Sequence, residues 1–207
     1  MDINIYDEIK KAGPKYSGNA LEYVSKLAVE GLRRDVFIDR FSWAVPDKLS
    51  IQEIATFIGD DKCLEIGAGK GLWAYLLSLE YINITAVDNF NDKEMDDDFR
   101  IELIKEIKYH NLPMNMLIYK LKQYFNVEKL DGYKALNKYN DHNVLFLCWP
   151  RLNFTNKFKG NKIIYIGESD NPYIPGVPNK KEWNLVKVID NPRWLGLHDR
   201  IELYERK

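Results

Sequence analysis

The sequence predicts an α/β fold: a seven-stranded sheet, mostly parallel, with an antiparallel last strand and helices on both faces. Three observations predict it. Cys63-Leu64-Glu65-Ile66 has the form of a buried strand, runs into the glycine loop Gly67-Ala68-Gly69-Lys70-Gly71 and passes at once into the helical pattern Leu72-Trp73-Ala74-Tyr75-Leu76-Leu77. Val144-Leu145-Phe146-Leu147-Cys148-Trp149 is continuously apolar, as a central parallel strand covered on both faces must be. The last two strand patterns, Trp183 to Ile189 and Arg200 to Tyr204, are joined by a stretch too short for a crossover helix, so this pair is antiparallel.

Residues 1–18 are polar, contain Gly13-Pro14, and read as a lead-in or a short first helix. From Asn19, paired with Glu22 in a cap-like arrangement, Leu21, Val24, Ala28 and Leu32 recur at helical spacing, which predicts a helix laid against the domain. The aromatic segment Arg40-Phe41-Ser42-Trp43-Ala44-Val45-Pro46 follows, its proline biasing Val45 toward extended geometry. It reads either as a packed connector or as a lid. Residues 1–45 are thus expected to form an N-terminal helical extension or lid, and residues 46–207 the main domain.

Ser50-Ile51-Gln52-Glu53 has the form of a capping box, with Ile51, Ile54, Ala55 and Ile58 on one helical face and Gly59 placed to end the helix. After the first strand and its helix, Asn83 to Val87 is a second strand ending in Asp88. The acidic run Asn91 to Asp98 suits a solvated loop and a helix N-terminus, where carboxylates complement the macrodipole. Ile101, Ile104 and Ile107 continue as a helix that Pro113 interrupts, and residues 114 to 124 stay open between a second helix and a connector. Phe125 to Lys129 is the third strand, followed by Leu130-Asp131-Gly132. Pro150 stops the fourth, Lys162 to Glu168 is the fifth, and a loop from Ser169 to Lys180 carries prolines and a glycine.

At 207 residues, one domain buries roughly 70% of its unfolded surface, enough for a sizeable core. Thirty basic against 31 acidic residues leave a formal charge of −1, so net charge does not indicate nucleic acid or an anionic membrane as partner. Cys63 and Cys148 are the two cysteines, both in apolar strand patterns, which suits a reducing compartment rather than a disulfide scaffold. The apolar runs are far shorter than the ~20 residues of a spanning helix. The N-terminus lacks a basic region followed by an apolar core. A cytoplasmic protein with no membrane partner is expected.

The glycine loop is a cofactor loop, because glycines allow backbone conformations closed to other residues and let main-chain atoms approach a ligand. It lies at the carboxyl end of a strand, where open α/β sheets bind ligands. A dinucleotide fingerprint would need its third glycine at position 72, which is Leu72. What stands instead is Glu65-x-Gly67-x-Gly69-x-Gly71 with Asp88 ending the next strand. This resembles motif I and the following acidic motif of class I S-adenosylmethionine-dependent methyltransferases, a Rossmann-like family. Trp43-Ala44-Val45-Pro46, Gly71-Leu72-Trp73-Ala74, Leu145 to Pro150, Tyr165 to Glu168 and Trp194 to Asp199 look like a group of poorly characterised methyltransferase-like proteins.

The resemblance implies S-adenosylmethionine as cofactor, with Glu65 near its methionine end, Gly67, Gly69 and Gly71 beside it, and Asp88 accepting hydrogen bonds from the ribose. Asp131 matches the position that contacts the adenine amino group, although Asp-Gly is equally a turn former. Trp73 and Trp43 join the expected cofactor-binding set, Trp43 as part of the lid. At the end of the fourth strand, amino-directed enzymes of the family carry Asp or Asn followed by Pro-Pro and an aromatic. This chain has Cys148-Trp149-Pro150-Arg151. Cysteine is a poor acceptor, which weighs against methylation of a base amino group. Cys148 reads as a packed small side chain, and Trp149 as a wall for cofactor or planar substrate or as core; both count as cofactor-facing positions. Glu168, ending the fifth strand, and His198, in the last turn, are the candidate catalytic residues, because either can accept a proton. Methyl transfer requires no metal, and none is expected. The expected activity is methyl transfer to a small molecule or another, undetermined acceptor; the alternative is a methyltransferase-like protein that binds the cofactor or a partner without turnover.

Overall fold

The computed structural model describes residues 4–14, 20–90, 97–109, 111 and 123–207. Two helices lead the chain, α1 (Ile5–Ala12) and α2 (Ala20–Arg40), followed by α3 (Lys48–Ile58). Then come β1 (Cys63–Ile66), α4 (Leu72–Leu79), β2 (Ile84–Asp88), α5 (Asp97–Tyr109), β3 (Val127–Lys129), α6 (Gly132–Lys138) and β4 (Val144–Cys148). The chain ends in β5 (Lys162–Gly167), β6 (Trp183–Ile189) and β7 (Arg200–Arg206). The strands form one seven-stranded sheet in the order β3-β2-β1-β4-β5-β7-β6. β1 to β5 are parallel, in registers such as Cys63 with Ile84 and with Val144. β7 runs antiparallel to β5 and to β6, as the short final connection requires.

Side chains alternate across a strand, and here the alternation feeds two cores. Cys63, Val144, Phe146, Ile164, Ile166, Ile201 and Leu203 face a core that also takes Ile51, Ile54 and Ile58 of α3 and Leu72, Trp73, Leu76 and Leu77 of α4. The intervening Leu64, Ile66, Leu145, Leu147, Ile163, Tyr165 and Tyr204 face a second core closed by Ala135, Phe154, Phe158 and Trp183. Both faces being covered explains why β4 reads as an unbroken apolar run. Ile9, Phe37, Phe41, Ala44 and Val45 are buried in the first of these cores. The N-terminal segment therefore shares its core with the sheet.

Local structure differs from the sequence expectations in several places, among them β5, which ends at Gly167 before Glu168, and β7, which runs on to Arg206. The capping box of α3 is Asp47 with Ser50: Ser50 N–H donates to Asp47 Oδ1 at 2.9 Å and Asp47 N–H to Ser50 Oγ at 3.3 Å. Ser50 is thus the third helical residue rather than the cap, because the acidic side chain three positions earlier takes its amide. α2 runs on to Arg40, past the expected Leu32. β3 is shorter than expected because Tyr124 N–H donates to Lys70 O at 2.9 Å, which ties residues 124–126 to the glycine loop instead of the sheet. Finally, β4 stops at Cys148, where Trp149 takes φ +49 and turns the chain while its N–H still reaches Ile166 O at 2.8 Å. The Asn19–Glu22 pair and most of the runs 91–98 and 114–124 lie outside the described residues.

Candidate functional site

β1 ends in a loop whose backbone is held from beneath. Gly67 and Ala68 N–H both donate to Val87 O, at 3.0 and 3.1 Å, and Gly71 N–H donates to Ala68 O at 2.7 Å. Gly67, Gly69 and Gly71 all have positive φ, at +78, +53 and +74, where a side chain is strained. Their surroundings separate them. A Cβ on Gly67 or Gly69 would meet nothing within 4 Å, whereas one on Gly71 would stand 2.8 Å from Phe125 Cβ and Val127 Cγ2. Gly67 and Gly69 therefore border open space, and Gly71 is a packing glycine that seats the loop on the approach to β3.

That open space is a cavity of about 350 Å³ at the carboxyl end of β1, β2 and β4, within the range of roughly 300–1,000 Å³ of small-molecule sites. Glu65, Gly67, Gly69, Trp73, Asp88, Asp131, Cys148, Trp149 and Trp43 all line it. Of the expected cofactor-binding residues, Gly71 does not. Lys70, also in the wall, is ion-paired with Asp39 of α2 at 3.5 Å.

Two carboxyl groups define the cavity's chemistry. Glu65 is 2% exposed and Oε2 has no hydrogen-bond partner. Burial pushes its pKa up to about 8; a backbone hydrogen bond from Ala74, in the first turn of α4, opposes this, and the charge of Asp88 adds to it. Asp88 is differently placed: Oδ2 accepts from Gly69 N–H at 2.8 Å and Oδ1 from Phe90 N–H at 2.7 Å. It fixes the loop as well as facing the cavity. Asp131 likewise has two positions at once, lining the cavity while Oδ1 caps α6 through Tyr133 and Lys134 N–H, both at 3.1 Å.

On the other side, Trp43 and Trp149 meet with ring centroids 6.4 Å apart. Trp43 reaches the cavity from the segment after α2, while Phe41, Ala44 and Val45 of the same segment are buried in the core. Trp73 joins the wall while 2% exposed and packed on Phe146 at 5.5 Å. Burial raises the Cys148 thiol well above its ordinary range, which makes it an inert wall rather than a nucleophile.

The expected catalytic pair stands elsewhere. Glu168 Oε1 accepts from the backbone N–H of His198 at 2.8 Å, and the His198 side chain is exposed. Neither residue lines the cavity. Tyr173, in the loop expected to shape an acceptor pocket, is 92% exposed and also lies outside it. Sequence reasoning passed over Arg34, Asn191 and Asp199, which gather behind Trp149. Asp199 is 2% exposed; burial raises its pKa, the neighbouring side chains of Asn191 and Trp149 pull it back, and the charge of Glu168 adds to the rise. The only sequence signal was an acidic residue, Asp199, set between an exposed turn and a core strand.

The seven strands, mostly parallel and closing antiparallel, are as the sequence predicts, and their order places β7 between β5 and β6. No protein-family model matches the chain, and no curated protein matches it in sequence. Solved structures do resemble it. A tRNA methyltransferase from Aquifex aeolicus is 11% identical over 85% of this chain and 76% of its own, with a TM-score of 0.47. A mutant of MtNAS in complex with S-adenosylmethionine is 15% identical over 90% of this chain and 75% of its own, at 0.45. A protein of the NADB-Rossmann superfamily from Streptococcus agalactiae is 11% identical over 79% and 70%, at 0.42. Likenesses this distant carry no information on activity or substrate. Among the described residues, no helix is long and apolar enough to cross a membrane.

Proposed function

We propose that the chain binds S-adenosylmethionine in the cavity beside the glycine loop and is a methyltransferase acting on a small-molecule acceptor. The observation that carries this reading is the pairing of empty space over Gly67 and Gly69 with the buried, unpartnered Oε2 of Glu65 in the same wall. A buried carboxyl without a partner is costly, and a ligand that brings a cation or a donor relieves the cost. The cofactor, when bound, supplies an electrophilic methyl group on a sulfonium centre.

The chain's own residues orient and enclose. Glu65 Oε2 accepts from, or neutralises, the cationic end of the ligand. The loop backbone, anchored by Val87 O and by Asp88, positions the ligand without side chains in the way. Asp88 and Asp131 offer their remaining lone pairs to hydroxyl and amino groups. Trp43 closes the cavity over Trp149 and excludes water, so that proximity and alignment contribute to rate. Isothermal titration with S-adenosylmethionine tests the binding, and a methyl-release assay over small acceptors tests transfer.

One observation favours the second reading, binding without turnover: Glu168 and His198 lie outside the cavity wall. Tight cofactor binding with no methylated product from any acceptor would support that reading over catalysis.

A further inference from the structure

β6 forms one edge of the sheet, and among the described residues no strand pairs with its outer side. Open edges are templates for further pairing, and proteins normally keep them short or charged. The opposite edge obeys this rule, since β3 is three residues long. β6 does not: it has seven residues, five of them exposed, and Leu185, Val186 and Val188 among these are apolar. Lys187, the one charge in the exposed run, is drawn back to Glu53 of α3.

The bulge between Leu185 and Lys187 decides what this edge fits. Before it, Trp183 stands opposite Arg206, Asn184 opposite Glu205 and Leu185 opposite Tyr204; after it, Lys187 stands opposite Leu203 and Val188 opposite Glu202. Tyr204 faces the second core and Leu203 the first, and alternate residues of β7 share a face. Trp183 and Val188 therefore lie on one face, and Asn184 and Lys187 on the other. In an unbroken strand, residues separated by an odd number of positions face opposite ways. Paired residues must share a face, so such a strand pairs with its own copy only about an axis through a residue. The bulge moves that axis to a point between residues. An axis between Leu185 and Val186 sets Trp183 against Val188, Asn184 against Lys187 and Leu185 against Val186, and every pair occurs twice. The same axis brings Lys181 to Asp190 at both ends. Both side chains are exposed, and Asp190 has Arg193 only at 3.6 Å.

We propose that β6 is a self-association surface, on which a second copy of this chain adds its own β6 antiparallel about a two-fold axis between Leu185 and Val186, joining the two sheets into one. Apolar residues meet at the centre, and opposite charges meet at each end, so the edge is complementary to itself. A single pair of strands is small beside the roughly 1,200–2,000 Å² of stable complexes, so the association is reversible and grows with concentration. The inference is independent of the cofactor reading.

Sedimentation velocity of the full chain from about 1 to about 200 μM tests it. The wild type is expected to pass from the mass of one chain to that of two, with amide hydrogen exchange over residues 184–189 slowing across the same range. Lys181→Asp and Asp190→Lys each set like charges against each other at both ends, and each should weaken self-association about tenfold. An equal mixture of these two variants restores opposite charges at both ends and should associate as the wild type does. Val186→Lys, which brings two ammonium groups beside the axis, should abolish association. All three positions are exposed, so the variants should keep the wild-type urea midpoint. A wild type that remains a single chain at about 200 μM overturns the proposal and leaves the edge to a strand of another protein. Self-association that is unchanged in any of the three variants, or a mixture that associates no more tightly than its components, overturns it in favour of another surface or register.

Discussion

Glu65→Gln isolates the buried carboxyl at the centre of the site. Gln matches the shape and can still accept from Ala74, but it does not titrate. In the wild type the Glu65 pKa rises from 4.5 to about 8 on folding. Between these values the folded chain holds a proton that the unfolded chain has released, so stability falls as pH rises through this window. It is greatest below the unfolded value and is lost as pH approaches the folded one. A shift of this size corresponds to about 4–5 kcal/mol across the window, or about 1.4 kcal/mol per pH unit within it. Glu65 is 2% exposed, so solvent screening takes little from the figure. Urea unfolding of both proteins between about pH 5 and pH 8 reads the difference directly. The variant should gain steadily on the wild type as pH rises. A stability difference that stays flat over the whole range would refute the account of Glu65 as a carboxyl kept neutral by burial.

Other substitutions separate loop packing from ligand contact. Gly71→Ala drives a Cβ against Phe125 and Val127 at positive φ and should cost about 2–4 kcal/mol in denaturant unfolding, whereas Gly69→Ala, with open space around it, should cost about 1 kcal/mol and act on ligand affinity. Asp88→Ala orphans the amides of Gly69 and Phe90, so a loss of about 2–3 kcal/mol of stability should accompany its weaker cofactor binding; loss of binding alone would mean that Asp88 does not hold the loop. Lys162→Met frees Phe57 O, Ile58 O and Asp61, which Lys162 Nζ binds at 3.0, 3.3 and 2.7 Å at the end of α3. About 1–2 kcal/mol of stability should go with it, with cofactor affinity unchanged.

What could be read from the sequence follows from how local each signal is. β1, its glycine loop and α4 are contiguous, so the residues that shape one wall of the cavity are legible as a single string. β4 declares its burial on both faces by having no polar position. The division of labour among the three glycines was not legible, because it depends on Phe125 and Val127 arriving from more than fifty positions downstream. Asp88 was readable as an acid at a strand end, but not as the acceptor of two loop amides. Glu168 drew attention by ending a strand, yet its carboxylate is taken by the His198 amide. Arg34 and Asp199 are brought together only by the packing of α2 over the end of the sheet, and nothing in either neighbourhood of the sequence points to the other.

The most direct measurement of the central claim is isothermal titration of S-adenosylmethionine into the wild type and into Gly69→Val, in two buffers of different ionisation enthalpy near pH 7. With Glu65 protonated beforehand and ionised against a cationic ligand, the wild type should bind one equivalent and release close to one proton, and the folded Gly69→Val variant should bind none. No binding by the wild type, or equal binding by the two proteins, would contradict the assignment of this cavity to the cofactor.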